Sequence, residues 1–227
     1  MSFDGCDAGA EFDRQLGVLV DRGYPEAAGV DASAFAAMLA PLREVAVARG
    51  AGTAPPSGGR VPFLLVVTRD LVPVEESVPR TTLAGKDRPG VVDRNYRDGD
   101  LARFAPAGGV VLPAGGAYLL LDVDRGEEFC GAVPDEAVEA VAARGRSPLT
   151  IEEGIALVTL HPGALEKNRC FSLGGSRCGD RRVPAVWISR GAPKLGWCWA
   201  GNPHTWLGMA SAAARVGTGA DRSAAVG

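Results

Sequence analysis

At 227 residues, with 46% hydrophobic and 22% charged side chains, the chain suffices for one large domain or two small ones around a real core, and its composition excludes a disordered or fibrous protein. A formal net charge of −3 and an isoelectric point near 5.5 argue against a nucleic-acid binder, which needs a strongly basic face. The one basic cluster (Arg177, Arg181, Arg182, Arg190, Lys194) is interrupted by Asp180. No apolar run approaches the ~20 residues that span a bilayer, and the first residues lack an export signal. A cytoplasmic protein is therefore expected, without membrane or nucleic-acid partners and with its five cysteines as reduced thiols.

In chain order, Glu11 to Gly23 carries Phe12, Leu16, Leu19 and Val20 at helical spacing. Asp31 is placed to cap a second helix with Phe35, Met38, Leu39 and Leu42 turned inward, which Pro41 should kink or restart. Residues 49–60 read as a linker, so residues 1–48 are expected to form a small helical unit before the main body, 61–215. That body opens with a strand from Phe63 to Thr68 and a short helical segment near Leu71 to Val78. A polar loop follows, then a stretch rich in Gly, Pro and Ala over 105–116, then a buried strand from Tyr118 to Asp122.

Pro134 starts a helix through Ala143, with Asp135 and Glu136 against its N-terminal dipole. Thr150-Ile151-Glu152-Glu153 spells a capping box for a helix carrying Ile155, Leu157, Val158 and Leu160. Three strands are expected at Cys170 to Leu173, Ala185 to Ser189 and Leu195 to Trp199, then a last helix from Thr205 to Arg215 and a disordered tail over 216–227. Helices and strands alternate without a regular βαβ period. The expected class is α+β, a mixed, largely antiparallel sheet with flanking helices and a small helical N-terminal unit.

The last third of the chain holds all four tryptophans, three of the five cysteines and both histidines. Indole and imidazole pack at one end and hydrogen-bond at the other, which suits a binding site as well as an aromatic core. Strand parity puts Trp197 and Trp199 on one face and Cys198 on the other, so the two indoles are expected to form a flat wall. Asn202, His204 and Thr205 follow at the turn into the expected last helix, whose N-terminus suits an anion. Arg177 and Lys194 are candidate cationic partners there, and Ser176 lies in a Gly174-Gly175-Ser176 turn that resembles a phosphate cradle or an ordinary hairpin.

Asp122 and Asp124 share a strand face and are candidates for a general base or a cation site; a charged exit from the strand is the alternative. Cys170, Cys178, Cys198 and His204 are acceptable zinc ligands, but they lack any Cys-x-x-Cys knuckle, so no metal is expected. Cys198 with His204 six residues on is a candidate thiol nucleophile, set against a packed thiol between two tryptophans.

The strings Gly145-Arg146-Ser147-Pro148-Leu149-Thr150, Leu165-Glu166-Lys167-Asn168, Pro184-Ala185-Val186-Trp187-Ile188-Ser189 and Pro193-Lys194-Leu195-Gly196-Trp197-Cys198-Trp199-Ala200-Gly201-Asn202-Pro203-His204-Thr205-Trp206-Leu207-Gly208 carry a resemblance. The chain resembles an uncharacterised actinobacterial family known by its domain-of-unknown-function number, 5701, most strongly from about Tyr118 onward. The resemblance implies kinship and no activity.

The expectation drawn from these readings is an enzyme of actinobacterial small-molecule metabolism without a tightly held cofactor, although no motif dictates that class. Arg177, Lys194 and His204 would hold a sulfate, phosphate or carboxylate against Trp197 and Trp199, with Asn202 and Ser176 nearby and Asp122 or Asp124 as base. Elimination, or ring closure by an amine that displaces an oxyanion, is the expected type of reaction. The alternative is a non-catalytic module that uses the same aromatic surface for a small molecule, a protein partner or a second copy of the chain.

Overall fold

A computed structural model describes residues 7–50 and 56–218. Asp7 starts the first helix, α1 (Ala8–Asp21), by accepting from the N–H groups of Gly9 and Ala10 at 2.9 and 3.2 Å. Its buried stripe is Phe12, Gln15 and Leu19. A four-residue helix, α2 (Tyr24–Ala27), turns the chain into α3 (Ala32–Gly50), where Asp31 accepts from Ala34 N–H at 2.8 Å as its spacing predicts. Phe35, Leu39, Leu42 and Ala46 are buried in steps of four, three and four, whereas Met38, expected inward, lies at the margin of that stripe and is 45% exposed. Pro41 lies inside α3 without ending it. The carbonyl it cannot serve belongs to Ala37, on the exposed face where water is available.

The main body continues with β1 (Arg60–Val67), α4 (Val74–Ser77), β2 (Val91–Val92), α5 (Asp100–Arg103), β3 (Ala105–Pro106) and β4 (Ala117–Asp124). Then come α6 (Pro134–Ala143), β5 (Ser147–Pro148), α7 (Ile151–Leu160), β6 (Cys170–Ser172), β7 (Ser176–Arg177), β8 (Arg182–Ser189) and β9 (Ala192–Trp199). The class is α+β, with largely antiparallel sheets flanked by helices.

The expected last helix over Thr205–Arg215 is replaced by three short strands, β10 (Leu207–Met209), β11 (Ser211–Ala212) and β12 (Ala214–Val216). The run is alanine-rich and intrinsically helical, but its small side chains serve close packing. A Cβ on Gly208 would lie 2.2 Å from the carbonyl oxygen of Gly126, and Ala210 and Ala212 are fully buried. Tertiary pairing overrides local propensity here.

One sheet runs β1-β4-β11-β5, with β12 also on β4; the other runs β10-β6-β8-β9-β2. Only the β10–β6 and β2–β9 pairs are parallel in these sheets. β3 and β7 form a separate antiparallel pair. The segment from Leu207 to Val216 thus starts in one sheet and ends in the other, tying them together.

Helix α7 packs on both β1 and β8 and is buried at nearly every position, as an all-round apolar helix must be. On the outer edge of β1, which no strand among the described residues covers, fully buried Gln15 donates to the carbonyl of Phe63 at 3.0 Å and accepts from Leu65 N–H at 2.7 Å. One amide thereby satisfies two of the backbone groups that an edge strand leaves open. One apolar cluster includes Phe12 and Phe35 of the N-terminal helices with Leu64, Leu120, Leu157 and Phe171. Parts of the expected linker and tail, residues 51–55 and 219–227, lie outside the described residues.

Candidate functional site

The two indoles take the parity read from the sequence: Trp197 is partly buried, Trp199 is 47% exposed and Cys198 is buried on the other face. They do not form a flat wall. Their rings meet edge to face, with centroids 4.8 Å apart at 68°, and the Arg182 guanidinium lies 5.7 Å from the Trp197 ring. His204 belongs to another group, 5.4 Å from Trp206, which in turn meets Trp187 at 6.1 Å. The Trp187 ring lies over Gly196, where a Cβ would come within 2.0 Å of it. Gly196 shares its strand face with Cys198, so β9 itself separates Trp197 and Trp199 from the group that includes His204.

The other nominated residues are dispersed. Asp122 accepts from Arg146 at 2.6 Å; Asp124 accepts from Arg60 at 2.8 Å and from Gly126 N–H at 2.7 Å. Arg177 of β7 donates to Asp135 at the start of α6 at 2.7 Å. Lys194 donates to Asp93 at 2.9 Å. Asn202 is exposed, its N–H closing a turn on the carbonyl of Trp199 at 3.0 Å. Burial pushes the Cys198 thiol up, away from the thiolate a nucleophile needs, with Val183 O 3.7 Å from its sulfur. Among the described residues no three His, Cys, Asp or Glu side chains are arranged to hold a metal ion.

Ser176 leads to a different constellation. Its hydroxyl accepts from Ile151 N–H at 3.0 Å, fixing the first turn of α7 against β7. Thr150 and Glu153 complete the capping box: Glu153 N–H to Thr150 Oγ1 at 3.4 Å and Thr150 N–H to Glu153 Oε2 at 2.7 Å. This helix start, the end of β1, the start of β4 and β3 enclose a cavity of about 360 Å³. Phe104, Pro106, Leu112 and Pro113 are among its apolar lining.

Arg69, Asp70 and Glu152 are its charged groups. Arg69 pairs with Glu152 through its Nε and donates to the carbonyl of Leu101 at 3.2 Å. The Asp70 carboxylate makes no hydrogen bond or ion pair with another described residue and stands open to solvent.

A buried network fixes this wall from behind. Glu153, wholly buried, accepts from Tyr118 Oη at 2.7 Å and from Arg215 Nε and Nη2 at 2.5 and 2.8 Å. Arg215 also donates to Ser147 Oγ at 2.8 Å and to Pro148 O at 3.0 Å, which joins β12 to β5 and α7. Burial, reinforced by the neighbouring Glu153 carboxylate, raises the Tyr118 hydroxyl well above its ordinary value, so it remains a donor. The cavity therefore has a rigid floor, one guanidinium, one unengaged carboxylate and an apolar lining.

The signals for these residues were weak in the sequence. The capping box placed Thr150 and Glu152 at a helix start, and the Gly/Pro/Ala stretch supplied the wall from Leu112 to Gly115. Arg69 and Asp70 follow a strand as an ordinary charged pair, and nothing local distinguishes them.

A family model described as a family of unknown function, DUF5701, matches residues 18–218, and the chain belongs to that family. Searches among curated proteins and among solved structures found no match. No helix among the described residues is long and apolar enough to cross a membrane.

Proposed function

We propose that this member of the DUF5701 family is an enzyme of small-molecule metabolism whose substrate, an apolar body with a sulfate, phosphate or carboxylate group, binds in the cavity at the start of α7. The observation that carries this reading is the cavity itself: about 360 Å³, lined by apolar residues together with Arg69 and Asp70. Sites for organic molecules have this mixed character, a mostly apolar wall with a few polar groups that fix orientation.

The roles first sought in Asp122, Asp124, Lys194 and His204 find closer neighbours in this cavity. Arg69 faces developing negative charge and Asp70 is the base. In a displacement of the expected type, the substrate amine forms its bond to carbon as the carbon–oxygen bond to the anionic group breaks. The amine proton passes to Asp70, and Arg69 neutralises the departing oxyanion. The ion pair that already occupies Arg69 favours the second reading, a binding module without chemistry, because Glu152 competes with any anion for that guanidinium.

Thermal shift with phenyl sulfate, phenyl phosphate and benzoate tests the site. A ligand at one hundred times its dissociation constant stabilises by ~2.7 kcal/mol, or about 5–10 °C for a chain of this size. Ala114→Trp at the cavity mouth and Arg69→Met should each abolish that response without unfolding the protein. Retained response in both variants would remove the cavity from consideration. Once a turned-over substrate is found, Asp70→Asn should bind it and fail to convert it; unchanged turnover would exclude Asp70 as the base.

A further inference from the structure

A second, more open cleft of about 510 Å³ lies where the turn between β8 and β9 meets β2. Four cationic side chains, Arg88, Arg94, Arg190 and Lys194, line it against a single carboxylate, Asp93. That carboxylate is committed: Asp93 accepts from Lys194 at 2.9 Å and from Asn95 N–H at 2.8 Å. Burial opposes the charge on Asp93, but these bonds and the nearby Lys194 and Arg94 charges hold its carboxyl below the usual range. Arg88 donates to the backbone carbonyl of Arg190 at 2.5 Å. The guanidinium groups of Arg94 and Arg190 make no hydrogen bond or ion pair within the described residues.

The turn adds an independent observation. Ser189 and Ala192 are paired across a two-residue connection in which Arg190 and Gly191 have φ of +50° and +76°. Such a turn with two left-handed residues favours Asn, Asp or Gly at its first position. Here a long cationic side chain is held in a conformation its backbone disfavours, at the rim of a cleft that already holds three other cations. Backbone outliers of this kind concentrate at ligand clamps, and like charges in excess of their one counter-charge are relieved by a bound anion.

We infer that this cleft is a second binding site, specific for a phosphate-type dianion and clamped by Arg88, Arg94, Arg190 and Lys194. It shares no lining residue with the cavity at α7 and does not depend on the function proposed there.

Calorimetric titration of the full chain with inorganic phosphate and pyrophosphate, at constant ionic strength set with sodium chloride, tests the site. Saturable binding is expected, tighter for pyrophosphate. Arg190→Asn should weaken it about tenfold or more, the loss of one charge-assisted contact, while melting at or above the parent temperature because the turn is relaxed. Arg94→Gln should weaken binding comparably at an unchanged melting temperature, and Arg144→Gln, outside the cleft, should leave it intact.

Absence of saturable pyrophosphate binding overturns the inference, as does full affinity in both Arg190→Asn and Arg94→Gln. If Arg190→Asn melts lower, Arg94→Gln alone decides. Titration of phenyl phosphate into Ala114→Trp, with the other cavity closed, separates the sources. Binding tighter than that of inorganic phosphate assigns the site to an organic phosphate, and equal binding assigns it to the free ion; binding of neither overturns the site.

Discussion

The cavity at the start of α7 and the cleft beside the β8–β9 turn differ in what holds their charges in place. At α7, Glu153 is buried and answered by Arg215, Tyr118 and the backbone of Thr150, and Arg69 is answered by Glu152. In the cleft, Arg94 and Arg190 are exposed and make no hydrogen bond or ion pair among the described residues. A charge buried with its partners positions a wall, and removing one partner leaves the other desolvated and unpaired. An exposed, unpartnered charge contributes little to folding, so its removal registers in binding. Substitutions in the buried Glu153–Arg215 network should therefore act on stability, and those of the exposed cleft cations on affinity.

The largest effect is expected where the floor of the α7 cavity meets the N-terminal helices. β1 and β4 are packed by α1 and α3, whose Phe12, Phe35, Leu39 and Leu42 are essentially solvent-free. Each such side chain is worth ~1.5–3 kcal/mol. Deleting residues 1–48 should give aggregated protein without a cooperative melt. A soluble fragment from Arg60 onward with a sharp transition would show that the N-terminal unit is independent of the cavity.

Next comes the buried pair itself. Arg215→Met strands the Glu153 carboxylate, a loss of about 3–5 kcal/mol, or a fall in melting temperature of about 6–20 °C. A fall of less than about 2 °C would mean that Glu153 is satisfied without Arg215, and the contrast between the two sites would lose its basis.

At the cleft, Asp93→Asn keeps an acceptor for Asn95 N–H and frees Lys194. Pyrophosphate should bind severalfold more tightly, with a stability change of about 1–2 kcal/mol at most. The pH dependence follows from the depressed carboxyl of Asp93. Its pair with Lys194 is fully formed above the ordinary value near 3.8, and its contribution is lost as pH falls through the lower folded value. As Asp93 takes up its proton the cleft gains an unopposed positive charge, so sulfate should bind more tightly as the fold weakens. Binding that weakens in step with stability would contradict this.

The smallest effect is expected at Asp122, whose exposed carboxylate pairs with Arg146 at 2.6 Å. Asp122→Asn should change stability by less than about 1 kcal/mol and leave the thermal response to cavity ligands unchanged. A large loss of that response would return Asp122 to the active site.

Features legible in the sequence were those decided within a few residues. The capping box at Thr150, the bounds of α6, the Asp31 cap and the alternation along β9 all follow from local backbone valence and side-chain period. What escaped required knowledge of the partner. Gln15 looks like a polar residue on a helix face, yet it closes the outer edge of β1. Trp197, Trp199 and His204 are neighbours in sequence, but β9 intervenes between the two touching indoles and the imidazole. Arg69 gains meaning only from Glu152, eighty-three residues away.

The sequence by itself determined the α+β class, most of the apolar stripe of α3, the capped start of α7 and the kinship with its family, because hydrophobic period and capping chemistry are encoded locally. Only the tertiary structure decided that the alanine-rich C-terminal run would be strand. Pairing with β6, β4 and β5 and backbone approach at Gly126 outweigh an intrinsic helical preference of a few tenths of a kcal/mol per residue. It likewise decided which charges would meet in a cavity and which would be left unpartnered around a cleft. Electrostatic partnership depends on distance in space, and sequence separation does not carry that distance.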